Sequence, residues 1–314
     1  MHPAPSIIFF TTASGAGYGL LVFAALAGLL GLVPISVASG LALLLPALVL
    51  VTSGLLSSTL HLGHPERAWR ALTQWRSSWL SREGVAAAIT YLPALLLAWH
   101  WIIGERLAPL AALLTAALAL VTVYCTAMIY ASLKPIPRWH HGLVPPVYLA
   151  MGLASGASIG VAIAVWLRGD LPRSLLLAVL LMVAAAWLLK WRYWQAIATT
   201  KPLATTADAI GLTGRGTARL LEAAHTERNY LLDEMGYRIG RKHSAKLRRH
   251  AVLLGAVAPA LALLIALALG SGAIAKLLLA IGGAAALIGV LVERWLFFAE
   301  AEHTVMLYYG RDAI

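Results

Sequence analysis

Eight long hydrophobic runs are the feature that most restricts what this chain can fold into. A bilayer core of about 30 Å is crossed by a helix of about 20 apolar residues, and a helix satisfies every backbone hydrogen bond within lipid. The sequence has eight such runs, at residues 8–32, 36–60, 84–104, 107–131, 143–167, 174–194, 251–270 and 276–300. We therefore predict an all-α, polytopic integral membrane protein with eight transmembrane helices.

The scarcity of charge agrees with this prediction. Only 12% of the 314 residues are charged, where soluble globular proteins have about 25%, and the first charged side chain is Glu66. These values exclude an ordinary soluble enzyme. We expect residues 1–314 to form a single membrane domain, in which 195–250 is a polar insertion too short to fold as an independent catalytic domain.

The distribution of lysine and arginine predicts the orientation of the helices. The loops and tail on one side of the predicted helices carry 19 of these residues, and the loops on the other side carry four. Without the 190–250 segment the ratio is still seven to four. Because excess Lys and Arg stays in the cytoplasm, both termini and the 195–250 insertion are predicted to be cytoplasmic. Topology then explains the net charge of +11, and we expect no nucleic-acid partner.

The sequence offers no ligand set for a redox cofactor. Cys125 is the only cysteine, so a four-thiolate iron–sulfur site is excluded. A transmembrane b-type haem needs two histidines within the spans, and of ten histidines only His100 lies clearly inside one. No histidine spacing typical of a metal site occurs in a span. We expect no haem, no iron–sulfur cluster and no other metal in this chain.

Ionisable residues gather at one predicted membrane face. His61 ends the second hydrophobic run, Glu83 opens the third, and Glu293 and Arg294 interrupt the eighth. Ionisable groups at membrane depth are costly and are candidates for function. Two simpler interpretations fit equally well: His61 caps a helix end, and Glu293 and Arg294 form an internal ion pair that fixes helix packing. Lys190 lies among aromatic residues and is predicted to snorkel to the lipid headgroups.

Two sequence motifs next to this face resemble those of a known family. Residues 60–70, LHLGHPERAWR, and residues 78–83, SWLSRE, resemble the signature between the second and third spans of dimethyl sulfoxide reductase anchor subunits. The resemblance extends to the eight spans, to the KPIP sequence at 134–137, and to Arg294 followed by the pair Phe297-Phe298. It covers most of the chain.

The resemblance implies a membrane anchor subunit of an oxidoreductase complex. Such subunits lie in the inner membrane of bacteria or archaea, react with ubiquinone or menaquinone, and lack haem. Their partners are an iron–sulfur electron-transfer subunit and a molybdopterin catalytic subunit, besides membrane lipid. The family's quinone-site histidine and glutamate match His61 and Glu83. Arg67, Arg70 and Arg294 are expected to line the quinone pocket or support its loop. The chain would carry a quinone site but not the molybdenum centre.

Two departures from the short form of this family bear on the reaction. The long 195–250 insertion resembles that of sulfite dehydrogenase anchors, so sulfite oxidation with quinone reduction is preferred. The alternative is quinol oxidation for a dimethyl sulfoxide reductase in anaerobic respiration. The tail around His303 is spaced differently from the short form, so no role is transferred to His303. A secondary transporter and a purely structural anchor are the rival hypotheses.

Overall fold

Eight long helices form the membrane-spanning part of the protein. The computed structural model describes residues 2–60, 64–200, 202–216, 218, 221–222, 227, 229–235, 237, 242–270 and 272–314. Helices make up 77% of the structure, with no strand in these ranges, which confirms the all-α prediction. The helices long and apolar enough to cross a membrane are α1 (Pro5–Leu29), α2 (Val37–Thr59), α3 (Trp79–Ile102), α4 (Pro109–Ala131), α5 (Val144–Arg168), α6 (Arg173–Thr199), α7 (Ser244–Leu269) and α8 (Ala273–Ala299).

Two helices begin more than one helical turn earlier than their hydrophobic runs predict. α3 begins at Trp79 because the Ser78 hydroxyl accepts a hydrogen bond from the Ser81 amide and caps the helix. Glu83 therefore lies one turn inside α3 rather than at its start. α7 begins at Ser244, and its first turns hold basic residues that the hydrophobic pattern assigns to the 195–250 insertion.

Eight crossings bring both chain ends to one face of the bundle, and the longer polar segments lie at the same face. The odd-numbered helices begin at the face where the even-numbered helices end. This face carries the loops 64–78 and 132–143 and the described parts of the segment 202–243, and we call it the insertion face. α1 begins there and α8 ends there, so both chain ends lie on this side.

α1 is the central helix of the bundle. It contacts α2, α4, α5 and α8, and 83% of its apolar segment is buried. Its close approach to α5 depends on small residues: Gly19 faces Gly152 and Gly156, and a Cβ at Gly19 would collide with the Gly152 carbonyl oxygen. The other spanning helices bury only 28% to 67% of their apolar segments, which leaves apolar faces for lipid.

The chain ends pair with the insertion at the insertion face. The Leu203 amide donates to the Ile314 carbonyl oxygen at 2.6 Å, and the Ile314 amide donates to the Ala204 carbonyl oxygen at 3.0 Å. At the other end of the chain, the His2 amide donates to the Glu234 carbonyl oxygen at 2.6 Å. These hydrogen bonds connect parts of the insertion to the N-terminal and C-terminal residues of the chain.

Candidate functional site

Glu83 is a buried carboxyl group near the insertion face. It is the fifth residue of α3 and is 4% exposed. The Thr126 hydroxyl of α4 donates a hydrogen bond to Glu83 Oε1 at 2.5 Å, and the same hydroxyl lies 3.1 Å from the Thr122 carbonyl oxygen. α3 and α4 pack against each other, so the carboxyl is held between two spanning helices.

Arg82, the neighbour of Glu83, fixes the loop that precedes α3. Its guanidinium donates to the carbonyl oxygens of Trp75 and Arg76 at 2.9 and 2.7 Å. It also lies over the Trp79 ring, 4.3 Å from the ring centroid. The loop is therefore held over the beginning of α3, while Glu83 faces the interior of the bundle.

The arginines that the sequence assigns to the site lie on the surface of this loop. Arg67 is exposed, and its Nε is 3.7 Å from Glu66 Oε1. Arg70 is also exposed and lies over the Trp69 ring, 5.6 Å from the ring centroid. The structure thus leaves two cations and the Trp69 ring exposed, whereas Glu83 is buried.

Of the two histidines His61 and His303, the structure describes only His303. His61 lies outside the described residues, so its pairing with Glu83 stays a prediction from the sequence. His303 follows α8, and its Nδ1 accepts a hydrogen bond from the Val305 amide at 3.0 Å. Partial burial lowers the pKa of His303, in agreement with a neutral, helix-capping side chain.

A buried ion cluster joins α6 to α8. Lys190 Nζ contacts Glu293 Oε1, and Arg294 Nη1 lies 3.2 Å from Glu293 Oε2. The three side chains are 1%, 0% and 2% exposed, and the Arg294 guanidinium lies 3.5 Å from the centroid of the Tyr148 ring. The expected pairing of Glu293 with Arg294 is present. Lys190 differs from its prediction: it points to Glu293 inside the bundle instead of snorkelling to the headgroups.

These two sites have different chemical capabilities. Glu293 is compensated by two buried cations, and its loss would leave both unpaired. Glu83 has a hydroxyl as its hydrogen-bond partner, so it can change protonation without leaving a buried cation unpaired. Within the described ranges, no group of three or more His, Cys, Asp or Glu side chains is arranged to hold a metal ion.

Two sequence comparisons match almost the whole chain. A family model described as "DMSO reductase anchor subunit (DmsC)" matches residues 1–310. A protein of Allochromatium vinosum that is named as a sulfite dehydrogenase subunit is 33% identical to this chain, over 98% of this chain and 99% of that protein.

Proposed function

The chain belongs to the DMSO reductase anchor subunit family, and on this basis we propose that it exchanges electrons and protons between an iron–sulfur partner subunit and membrane quinone. Membership makes the chain a membrane anchor of a molybdoenzyme complex, which implies catalytic and electron-transfer partner subunits. It also favours this function over the secondary-transporter hypothesis. The quinone reaction, the direction and the terminal substrate are parts of the proposal.

The hydrogen bonding of Glu83 is the observation that most supports a proton-exchanging role. When Glu83 is ionised, the Thr126 hydroxyl donates to its carboxylate, as in the structure. When Glu83 is protonated, the same hydroxyl can accept the carboxyl proton and donate its own to the Thr122 carbonyl oxygen, 3.1 Å away. Thr126 can therefore stabilise both protonation states without a change of position.

The proposed reaction needs such a group near the quinone oxygens. Reduction of a quinone to a quinol takes up two electrons and two protons and forms two O–H bonds. The electrons come from the iron–sulfur partner, and we assign the protons to His61 and Glu83. Histidine exchanges protons near neutral pH. Oxidation of quinol would return the protons to the same two residues.

The other residues of the proposed site have supporting roles. Arg67 and Arg70, exposed beside Trp69, are assigned to the surface that docks the iron–sulfur partner. Arg294 supports the site from α8, where it is paired with Glu293. The docking surface and Glu83 are then both close to the insertion face, which shortens the distance for electron transfer to quinone.

For the direction of the reaction we propose sulfite oxidation coupled to quinone reduction. The long insertion and the relative named as a sulfite dehydrogenase subunit support this direction. The description of the family model supports the alternative, quinol oxidation for a dimethyl sulfoxide reductase. From the Lys and Arg distribution, we propose that the insertion face and the catalytic partner lie on the cytoplasmic side of a bacterial or archaeal inner membrane.

The test compares two activities of the same purified complex: electron exchange with quinone and electron exchange with a soluble dye that bypasses this subunit. General acid–base groups contribute about 10²–10⁴-fold to a rate. Glu83→Gln keeps the shape of the side chain and removes its ionisable proton, so the quinone-linked rate should fall at least about 100-fold. His61→Ala should abolish it. The dye-linked rate should not change in either variant.

Glu105→Gln is the matched control, because Glu105 is exposed in the loop between α3 and α4 on the opposite face. This variant should keep both activities. Normal quinone turnover in assembled Glu83→Gln and His61→Ala complexes would exclude the proposed site. Equal loss of both activities would instead assign these residues to assembly, as the purely structural anchor hypothesis requires.

A further inference from the structure

A small internal cavity lies between Glu83 and the buried ion cluster. Its wall includes Thr126, the hydrogen-bond partner of Glu83, and Arg294, the partner of Glu293. α1 contributes Thr11 and Thr12, and α5 contributes Tyr148. The cavity has space for about one water molecule. It therefore touches the polar groups of both sites.

Three polar atoms at this cavity have neither a hydrogen-bond partner nor an ion-pair partner among the described residues. They are Thr12 Oγ1, the Tyr148 hydroxyl and Arg294 Nε. Thr12, Tyr148 and Arg294 are 2%, 3% and 2% exposed, respectively. A buried polar group without a partner is costly, and a bound water that makes two to four hydrogen bonds removes this cost.

We propose that a water molecule bound by Thr12, Tyr148 and Arg294 connects the Glu83–Thr126 pair with the buried ion cluster, and that Glu83 exchanges protons through this water during quinone turnover. The inference rests on the proposed function, because it supplies the route by which Glu83 regains or loses its proton. It assigns the ion cluster to proton transfer in addition to helix packing.

Each transfer along this route is balanced. When Glu83 has given its proton to quinone, the Thr126 hydroxyl passes its proton to the Glu83 carboxylate. The water replaces the proton of Thr126, and Glu293, which is paired with Arg294 of the cavity wall and contacts Lys190, passes the Lys190 proton to the water. Lys190 then changes from an ammonium to an amine, while Glu293 keeps its ion pair with Arg294. Arg294 orients the water and supplies no proton, because a guanidinium does not titrate in proteins.

Lys190 lies close to the insertion face. Its Nζ is 5.4 Å from the centroid of the Trp194 ring, and the Arg248 guanidinium is 5.2 Å from the same ring. Arg248 is partly exposed and donates to Glu300 at 2.8 Å. A single aromatic ring thus separates the buried lysine from an ion pair that reaches the surface.

The experiment removes the cavity's polar groups one at a time in the assembled complex. Thr12→Val and Tyr148→Phe keep the side-chain volume and remove a hydroxyl. Each should slow quinone-linked turnover by about tenfold, which is less than the about 10²–10⁴-fold contributed by a group that transfers the proton itself, and should raise the solvent deuterium isotope effect. Thr115→Val is the control, because Thr115 is buried in α4 and donates only within its helix, to the Ala111 carbonyl oxygen at 2.7 Å.

The solvent isotope effect distinguishes a defect in proton transfer from a defect in helix packing. A packing defect would slow turnover without changing the isotope effect. Thr12→Val combined with Glu83→Gln should be no slower than Glu83→Gln alone, because the route ends at Glu83. Wild-type rates and isotope effects in both Thr12→Val and Tyr148→Phe, or an additive loss in the combined variant, would overturn the inference. The proposed function would still hold in that case, provided that Glu83→Gln alone is slow.

Discussion

Replacing Gly19 by alanine is expected to force α1 away from α5. The new Cβ would collide with the Gly152 carbonyl oxygen and would lie 3.2 Å from the Gly156 Cα. Both obstacles are backbone atoms, which cannot rotate away as a side chain can, so the two helices must separate. Overpacking of this kind costs about 1–3 kcal/mol. The gain in helix propensity from glycine to alanine, about 1 kcal/mol, acts in the opposite direction.

Gly15→Ala, one turn earlier in α1, isolates the cost of the collision. A Cβ at Gly15 meets no atom within 4 Å, so this variant has the same gain in helix propensity without the clash. The free energies of unfolding of the two variants should therefore differ by about 1–3 kcal/mol, with Gly19→Ala less stable. Unfolding of the purified chain in detergent titrated with dodecyl sulfate, followed by circular dichroism, measures this difference. Equal stabilities would refute the close approach of α1 and α5.

Three further predictions concern the ion cluster, the orientation and the cofactors. Glu293→Ala leaves two buried cations unpaired and should destabilise the protein by about 3–5 kcal/mol, whereas Lys190→Met leaves the Glu293–Arg294 pair and should cost less; thermal unfolding in detergent compares them. A cytoplasmic reporter fused after Ile314 should be active, and activity of a periplasm-specific phosphatase there would contradict the orientation. Reduced-minus-oxidised spectra of the isolated chain should show no b-type haem band, since stoichiometric haem would contradict the histidine count.

The helices could be predicted from the sequence because a segment in lipid has few ways to form all of its backbone hydrogen bonds. All eight spanning helices coincide with hydrophobic runs. Their ends are harder to predict, because they depend on capping and on pairs between distant segments. Ser78 extends α3 by one turn beyond its run, and Arg248 of α7 is paired with Glu300 after α8. Neither contact can be predicted from the hydrophobicity of the sequence.

The candidate site could be predicted only in part. Glu83 is visible as an ionisable residue at the start of an apolar run, and Glu293 and Arg294 as ionisable residues within one. The aromatic sequence neighbours of Lys190 predict a position at the headgroups, but its actual position depends on Glu293 of a different helix. Thr126 gives no signal in the sequence, since threonine is common in apolar runs and its role follows only from the packing of α4 against α3.

The burial of Cys125 makes the chain convenient for chemical labelling. It is the only cysteine, and it is 6% exposed within α4. A polar maleimide would reach it slowly, so the wild-type sequence can serve as an almost unreactive background. A single new cysteine in the 64–78 loop, or in the loop between α3 and α4, could then be modified selectively in intact cells. The two labelling rates would reveal which side of the membrane each loop occupies, without a fusion partner.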